Sequence, residues 1–304
     1  MTKALVTGSE GNIGKPLCKH LRSLGYEVLE TDVKPAWRES YFMADIRNVS
    51  DLLPVFDWRP DVVFHLAAMV SRVTCEQAAS LAIDTNLTGV QNMLDLSKRV
   101  GAKMVYFSTS EVYGPGMEVM DERLTPQPNN RYGLSKLLSE SLVEYEVRQH
   151  NFKAVTLRPF MMYDEEEDLG DHRSAMIRFA TNLALGQEIE VHSNSSRGWF
   201  HVSDAVRSIE AAARVPEYAV INIGSPDIRP IAELAEMIRT RLGAPKHLVK
   251  VIDLPTRMTL SKNPTLGRQR ELLGVVPKVG LEAGVDKVCT RVTQRLRDLG
   301  MLRG

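Results

Sequence analysis

Tyr132 and Lys136 stand four residues apart in Arg131–His150, a stretch whose pattern predicts a helix. Residues at that spacing share one helix face. An ammonium beside a phenol favours the phenolate and lowers its pKa from about 10. Such a pair could take the proton of a hydroxyl whose carbon loses hydride. Upstream, residues 107–114 read FSTSEVYG. The apolar run Met104–Phe107 ends in Ser108, Thr109 and Ser110, and the acid Glu111 follows. Three hydroxyls and a carboxylate there either solvate a turn or hold and deprotonate a substrate. Y-x-x-x-K arises by chance in many helices, so its weight depends on the elements around it.

Those elements alternate. Lys3–Thr7, Tyr26–Thr31, Asp61–His65, Lys103–Phe107 and Lys153–Leu157 read as apolar strands. Helical patterns separate them: one to about Leu24, a long one over Glu76–Val100, and Arg131–His150. Apolar strands joined through helices imply a parallel sheet buried on both faces. The expected fold is α/β, a Rossmann-like doubly wound sheet. Beyond Arg158-Pro159 shorter segments mix, at Ser174–Leu185, Glu188–Val191, Ser203–Arg214, Val220–Ile223 and Ile231–Leu242. They suggest a smaller interleaved C-terminal α/β region. The expected division is a dinucleotide-binding domain over 1–160, with returning segments near 196–225, and a substrate region over 161–195 and 226–304. Asp164–Asp171 (DEEEDLGD) reads as an exposed charge run. Residues 253–264 read as an irregular loop.

The first strand runs into TGSEGNIG, residues 7–14. Glycine at 8, 11 and 14 lets the backbone turn tightly and approach a pyrophosphate. The following helix N-terminus offers free N–H groups and a positive dipole end. Gly8, Gly11, Asn12, Ile13 and Gly14 are therefore expected at a dinucleotide. Asp32, at the end of the second strand, would accept hydrogen bonds from the ribose hydroxyls and repel a 2′-phosphate. That favours NAD over NADP, tempered by Lys34.

Composition narrows the rest. The chain has 304 residues, 43% hydrophobic and 25% charged, with 38 basic and 38 acidic side chains balancing. Zero net charge gives neither a nucleic-acid footprint nor a polybasic membrane patch. Cys18, Cys75 and Cys289 are scattered without ligand spacing, so neither a metal site nor a disulfide framework is expected. MTKALVTG enters a strand directly, without a signal-peptide pattern. No apolar run spans a bilayer. A reduced, cytoplasmic protein is the expectation.

Gly8, Gly11, Gly14, Asp32, His65-Leu66-Ala67-Ala68, Asn86, STSEVYG, Tyr132-x-x-x-Lys136 and Leu157-Arg158-Pro159 follow in order. Further on come Asn222-Ile223-Gly224 and Arg270–Gly274. This set resembles the extended short-chain dehydrogenase/reductase superfamily, in its nucleotide-sugar epimerase/dehydratase branch, over essentially the whole chain. The resemblance implies tightly held NAD used as a recycled oxidant. It implies that Thr109 works with Tyr132 on the sugar 4-hydroxyl and that Lys136 also binds the nicotinamide ribose. Asn86 would steady the catalytic helix. Leu66, Ala67 and Ala68 would run beneath the cofactor, with His65 structural. Asp45 and Ile46 would contact adenine, or Asp45 would cap a helix. Ser110, Arg197 and Arg257 would meet the substrate, Arg197 at a diphosphate or a sugar carboxylate. A glutamate at position 111 is more typical of sugar 4,6-dehydratases and UDP-glucuronate decarboxylases than of simple 4-epimerases. Ser110, where dTDP-glucose dehydratases carry aspartate, counts against that substrate. The resemblance breaks at Met161, where the family commonly has a substrate-binding asparagine.

The implied function is oxidation of a nucleotide sugar at its 4-hydroxyl to a transient 4-ketone, followed by dehydration or decarboxylation. A 4-epimerase and a non-catalytic NAD-binding regulator are the alternatives. A homodimer built on helices near 76–100 and 131–150 is expected.

Overall fold

Parallel strands buried on both faces need apolar side chains on both, and Ala4-Leu5-Val6 and Val62-Val63-Phe64 supply them, all but fully buried. The structure is a computed structural model describing residues 1–115, 119–170, 174–253 and 261–302. Six strands lead: β1 Lys3–Thr7, β2 Glu27–Asp32, β3 Tyr41–Met43, β4 Val62–His65, β5 Lys103–Phe107 and β6 Ala154–Pro159. The later ones are β7 Met162–Tyr163, β8 Ile189–His192, β9 Ser196–Gly198, β10 Phe200–His201, β11 Val220–Ile223, β12 Ile228–Pro230, β13 Val249–Ile252 and β14 Ser261–Lys262.

Seven strands form the main sheet in the order β11-β6-β5-β4-β1-β2-β3. All neighbours in it are parallel. The order reverses direction beside β1, the switch point at which such sheets open a crevice beyond their carboxyl ends. The edge strand β3 lies in a stretch that the sequence pattern passes over, because it has three residues, two of them exposed.

Eleven helices are described: α1 Gly14–Ser23, α2 Val49–Asp57, α3 Arg72–Gln77, α4 Ala79–Ile83, α5 Gly89–Val100, α6 Arg131–His150, α7 Ala175–Ala184, α8 Val202–Ala212, α9 Ile231–Leu242, α10 Gly267–Leu273 and α11 Leu281–Asp298. The single helix expected over Glu76–Val100 is broken. α3 ends at Gln77, α4 follows, and a π-helical turn, Asp84–Thr88, joins α4 to α5.

One core cluster packs α1 and α8 against the sheet, and another packs α2 and α5 on its opposite face. A third joins α7, α9 and α11 with Trp199 and β8 in the C-terminal region. There β9 pairs with both β12 and β14, so Ser261–Lys262 is strand rather than the irregular loop expected of 253–264. Residues 254–260 of that loop lie outside the described residues. Among the described residues no helix is long and apolar enough to cross a membrane.

Candidate active site

The carboxyl ends of β1, β2, β4, β5 and β6 open into one cleft of about 870 Å³. Gly8, Gly11, Asn12, Ile13, Gly14, Asp32, Asp45, Ile46, Leu66, Ala67 and Ala68 line one end of it. Ser110, Thr109, Glu111, Tyr132 and Lys136 also line it. Asn86 and Arg197 are near but not among the lining residues, and Arg257 lies outside the described residues.

At the glycine end the backbone closes on itself. Gly8 has φ +70°, and a Cβ there would meet Ala67 N at 2.8 Å. A Cβ on Gly14 would stand 2.1 Å from Gly8 O. α1 begins behind this turn with no side-chain cap and no acid in its first turn. Within its first turn Lys15 N donates to Gly11 O at 3.2 Å, Leu17 N donates to Ile13 O at 3.0 Å and Pro16 carries no N–H, so the N–H groups left for an anion are those of the turn ahead of Lys15. Asp32 accepts from Glu10 N at 3.0 Å and Lys34 N at 3.1 Å, so its carboxylate fastens the turn to the end of β2 and still has lone pairs for ribose hydroxyls. Thr7 Oγ1 accepts from Ala67 N at 3.1 Å and pairs with His65 Nδ1 at 2.8 Å. Burial holds His65 neutral, its pKa lowered to about 3, which suits a structural residue. Asp45 does not cap α2; Asn48 does, while Asp45 is engaged by Arg47. Hydrogen bonds from Arg47 hold the Asp45 carboxyl below its usual range. A bare glycine turn, a helix start with no side-chain cap and the carboxylate of Asp32 fit a dinucleotide.

At the other end, Tyr132 and Lys136 project from the first turns of α6, whose N-cap Asn130 accepts from Gly133 N at 2.9 Å. Lys136 is 1% exposed, and its ammonium stands 4.4 Å from the centre of the Tyr106 ring. Burial lowers it to about 7 against the pull of Glu140. The expected fall in the Tyr132 pKa is reversed. Desolvation pushes the phenol up, outweighing its hydrogen bond with Thr109. A burial cost of that kind cannot be read from a four-residue spacing. Asn86 ties this helix to the loop after β4. It accepts from Met69 N at 2.7 Å and donates to Met69 O at 3.0 Å and Ser135 Oγ at 2.9 Å.

Glu111 is the most heavily partnered acid of the cleft. Asn130 Nδ2 donates to its Oε2 at 2.9 Å, and Arg72 Nε lies 3.7 Å from the same oxygen. Lys262 Nζ makes an ion pair with Oε1 and reaches Ser110 Oγ at 3.3 Å. Burial raises the Glu111 pKa, but Lys262, Arg72 and Asn130 more than offset it, and the carboxyl sits below its usual value. Lys262 is a cleft-lining charge that sequence reasoning missed. It fell inside a segment read as loop, and no motif marked it. Strand β14 places it opposite Arg197 on β9, and Met120 and Thr265 lace the adjoining backbone to the sheet side of the cleft. Arg197 is buried, and that burial lowers its pKa to about 10.

The acidic segment departs from expectation in part: Glu166, Asp168 and Gly170 are exposed as expected, and Asp171 lies outside the described residues. Asp164 and Glu167 are buried, and with Asp168 they line the cleft. Glu165 pairs with His201 Nε2 at 2.7 Å, and Glu166 with Arg291 at 2.8 Å. Packing partners far along the chain turned a run of charges into a laced wall. Met161 lines the cleft as an apolar surface and offers no side-chain donor. Among the described residues no cluster of His, Cys, Asp and Glu could hold a metal ion.

Comparison with known proteins agrees with this geometry. The chain is similar to UDP-glucuronic acid decarboxylase 5 of Arabidopsis thaliana, 29% identical over 93% of this chain and 87% of that protein. It is similar to UDP-N-acetyl-alpha-D-glucosaminuronate decarboxylase of Bacillus cytotoxicus, 27% identical over 93% and 95%. Its fold matches the Thermotoga maritima UDP-glucose 4-epimerase solved with UDP-glucose, at a TM-score of 0.90 and 24% identity, covering 97% of this chain and 100% of that one. Residues 4–224 match the NAD dependent epimerase/dehydratase family, and the chain belongs to that family.

Proposed function

We propose that this chain is an NAD-dependent enzyme that oxidises a nucleotide sugar at its 4-hydroxyl to a transient 4-ketone, and that a uronate then loses carbon dioxide. The observation that carries the reading is the meeting of Tyr132, Thr109 and a cation-held Glu111 in one cleft. NAD, held by the glycine turn, Asp32 and the Leu66–Ala68 backbone, supplies the acceptor and later the donor of hydride at C4.

Tyr132, as a phenolate, takes the proton of the 4-hydroxyl, with the Thr109 hydroxyl as hydrogen-bond partner; burial alone opposes that phenolate, and the positive charge of a bound oxidised nicotinamide would favour it. Lys136, buried on the same helix, would meet the nicotinamide ribose, and Asn86, through Ser135, fixes that helix. Once C4 is a carbonyl, a carboxylate on C5 is β to it. The bond between C5 and the carboxylate breaks, carbon dioxide leaves, and the electron pair moves to C5 and the carbonyl oxygen. That step needs no base. Dehydration instead needs removal of the C5 proton, and a carboxylate held ionised by Lys262, Arg72 and Asn130 is a weak base. C5 is then reprotonated, and Lys262, an ammonium made more acidic by burial, lines the cleft as a donor. Relatives named for uronate decarboxylation support the same branch. Arg197, beside Lys262 on the ladder, is the second cation on the substrate side.

The reading includes a dinucleotide-binding half over 1–160 with a substrate region closing on it, a homodimer, and action in the cytoplasm. Leu134, Leu138 and Tyr145 on α6 and Leu81 on α4 expose apolar surface that a second copy would cover. Cys18, Cys75 and Cys289 are free thiols, as in a reducing compartment.

Product mass spectrometry on protein supplied with NAD and a panel of UDP-, GDP-, dTDP- and CDP-sugars and uronates tests the reading. A product lighter by carbon dioxide is expected. Loss of water would make Glu111 an elimination base, and unchanged mass with altered retention would make the chain a 4-epimerase. Turnover unaffected by Tyr132→Phe would remove the catalytic reading.

A further inference from the structure

Asp32 is not alone at the ribose end of the cleft. Arg38, in the loop from β2 to β3, makes ion pairs with Glu10 at 2.5 Å and with Glu30. Glu10 belongs to the glycine turn, and its own N–H donates to Asp32. Glu30 lies two residues before Asp32 on β2, 3% exposed, and also pairs with Arg22 at 2.5 Å. The guanidinium lies 4.8 Å from the centre of the Tyr41 ring, and the Tyr41 hydroxyl donates to Asp32 O at 3.1 Å and contacts Lys34 O. Arg38 is thus fastened on three sides beside the acid that meets the ribose. A guanidinium there is the group that would pair with a 2′-phosphate, whose paired oxygens match its fork of donors.

We propose that Glu10 and Glu30 form a clamp that keeps Arg38 from a 2′-phosphate, a second determinant of the preference for NAD over NADP that acts with Asp32. The inference rests on the dinucleotide reading of the cleft. The logic is one of competition: NADP must separate Arg38 from two carboxylates before gaining the pair, whereas NAD leaves the clamp intact. Glu10 is the accessible arm, with 12% side-chain exposure against 4% for Glu30. Its removal should loosen Arg38 without emptying the buried strand position.

The test is calorimetric binding of NAD and NADP to protein freed of bound dinucleotide, for Asp32→Ser, Asp32→Ser/Glu10→Gln and Asp32→Ser/Glu10→Gln/Arg38→Ala. NADP affinity is expected to rise about tenfold or more from the first variant to the second and to fall back in the third. NAD affinity should change less than about threefold across the set. No NADP gain on adding Glu10→Gln, or a gain that survives Arg38→Ala, overturns the clamp. Failure of the wild-type chain to bind NAD would instead count against the dinucleotide reading itself. Asp32→Ser/Glu10→Asp, which keeps an acid but shortens its reach, is an independent check: it should give a smaller NADP gain than Glu10→Gln, and an equal gain would also overturn the clamp.

Discussion

Lys262 and Glu111 are 151 residues apart in the chain and form an ion pair in the cleft. The pair joins a strand of the C-terminal region to the turn after β5, and it lowers the pKa of an acid to which Asn130, the N-cap of α6, also donates. Lys262→Met is expected to let the Glu111 carboxyl titrate at higher pH, because the largest influence holding it down is gone. In carboxyl-resolved NMR that titration should move upward, and Lys262→Arg should restore it. An unchanged titration in Lys262→Met would show that the pair does not govern Glu111.

Tyr132→Phe removes the proposed proton acceptor and keeps the ring. Turnover of the true substrate should fall by about 10²–10⁴-fold, the usual contribution of a positioned base. Dinucleotide binding should stay within a few-fold of wild type. Steady-state kinetics paired with calorimetry separates the two quantities.

Lys136 carries a stability cost with a defined pH dependence. Its pKa is about 7 in the folded chain, against 10.5 for the free side chain. The folded value is depressed, so between those two values the unfolded chain binds more protons and stability rises with pH. Below about pH 7 the buried ammonium is charged, and the full cost is present. Lys136→Met should therefore be more stable than wild type at pH 6, by about 2–4 kcal/mol. The gap should close as pH approaches 10.5. Urea unfolding at several pH values measures it, and a gap independent of pH would refute the assignment.

Asn86→Ala leaves Met69 N–H without its partner and removes one hydrogen bond each from Met69 O, which keeps Cys75 Sγ at 3.5 Å, and from Ser135 Oγ, which still donates to Tyr132 O at 2.8 Å. Lost partners of that kind cost about 2–4 kcal/mol together. The catalytic helix should also lose its register against the loop after β4. A lower kcat with little change in KM is the expected kinetic signature, with the melting temperature reporting the stability loss.

Leu138→Glu tests the dimer surface. Leu138 is 40% exposed on α6, one turn from Leu134. Sedimentation should show a dimer for wild type and a shift toward monomer for the variant, with the fold unchanged by circular dichroism. A wild-type monomer at micromolar concentration would remove the dimer from the reading.

What the sequence made legible follows the range of the interactions. The glycine turn is local: residues 8, 11 and 14 carry their own steric reason, and a Cβ added at Gly14 would clash with Gly8 O at 2.1 Å. The strands β1, β4 and β5 are legible because both faces are apolar. Lys262 was not legible, since its place depends on β14 pairing with β9, a contact between segments more than sixty residues apart. The acidic run after β7 misleads for the same reason: His201 and Arg291, which pair with Glu165 and Glu166, lie 36 and 125 residues away. Charge composition reports solvation only when no distant partner folds onto it. The Tyr132 pKa fails differently, because spacing shows a neighbour and says nothing of burial.

The π-helical turn at Asp84–Thr88 is a place where the chain can lose length without losing its helix. Such a turn holds one residue more than an α-helix would. Deleting one residue there would close it to an α-turn and leave α4 and α5 in about their present orientations, so Val90, Met93 and Leu94 would keep their seats on the sheet. What such a deletion loses is the placement of Asn86, which lies inside the turn and reaches Ser135 Oγ at 2.9 Å. A single deletion between 84 and 88 should spare the core and release α6 from the loop after β4.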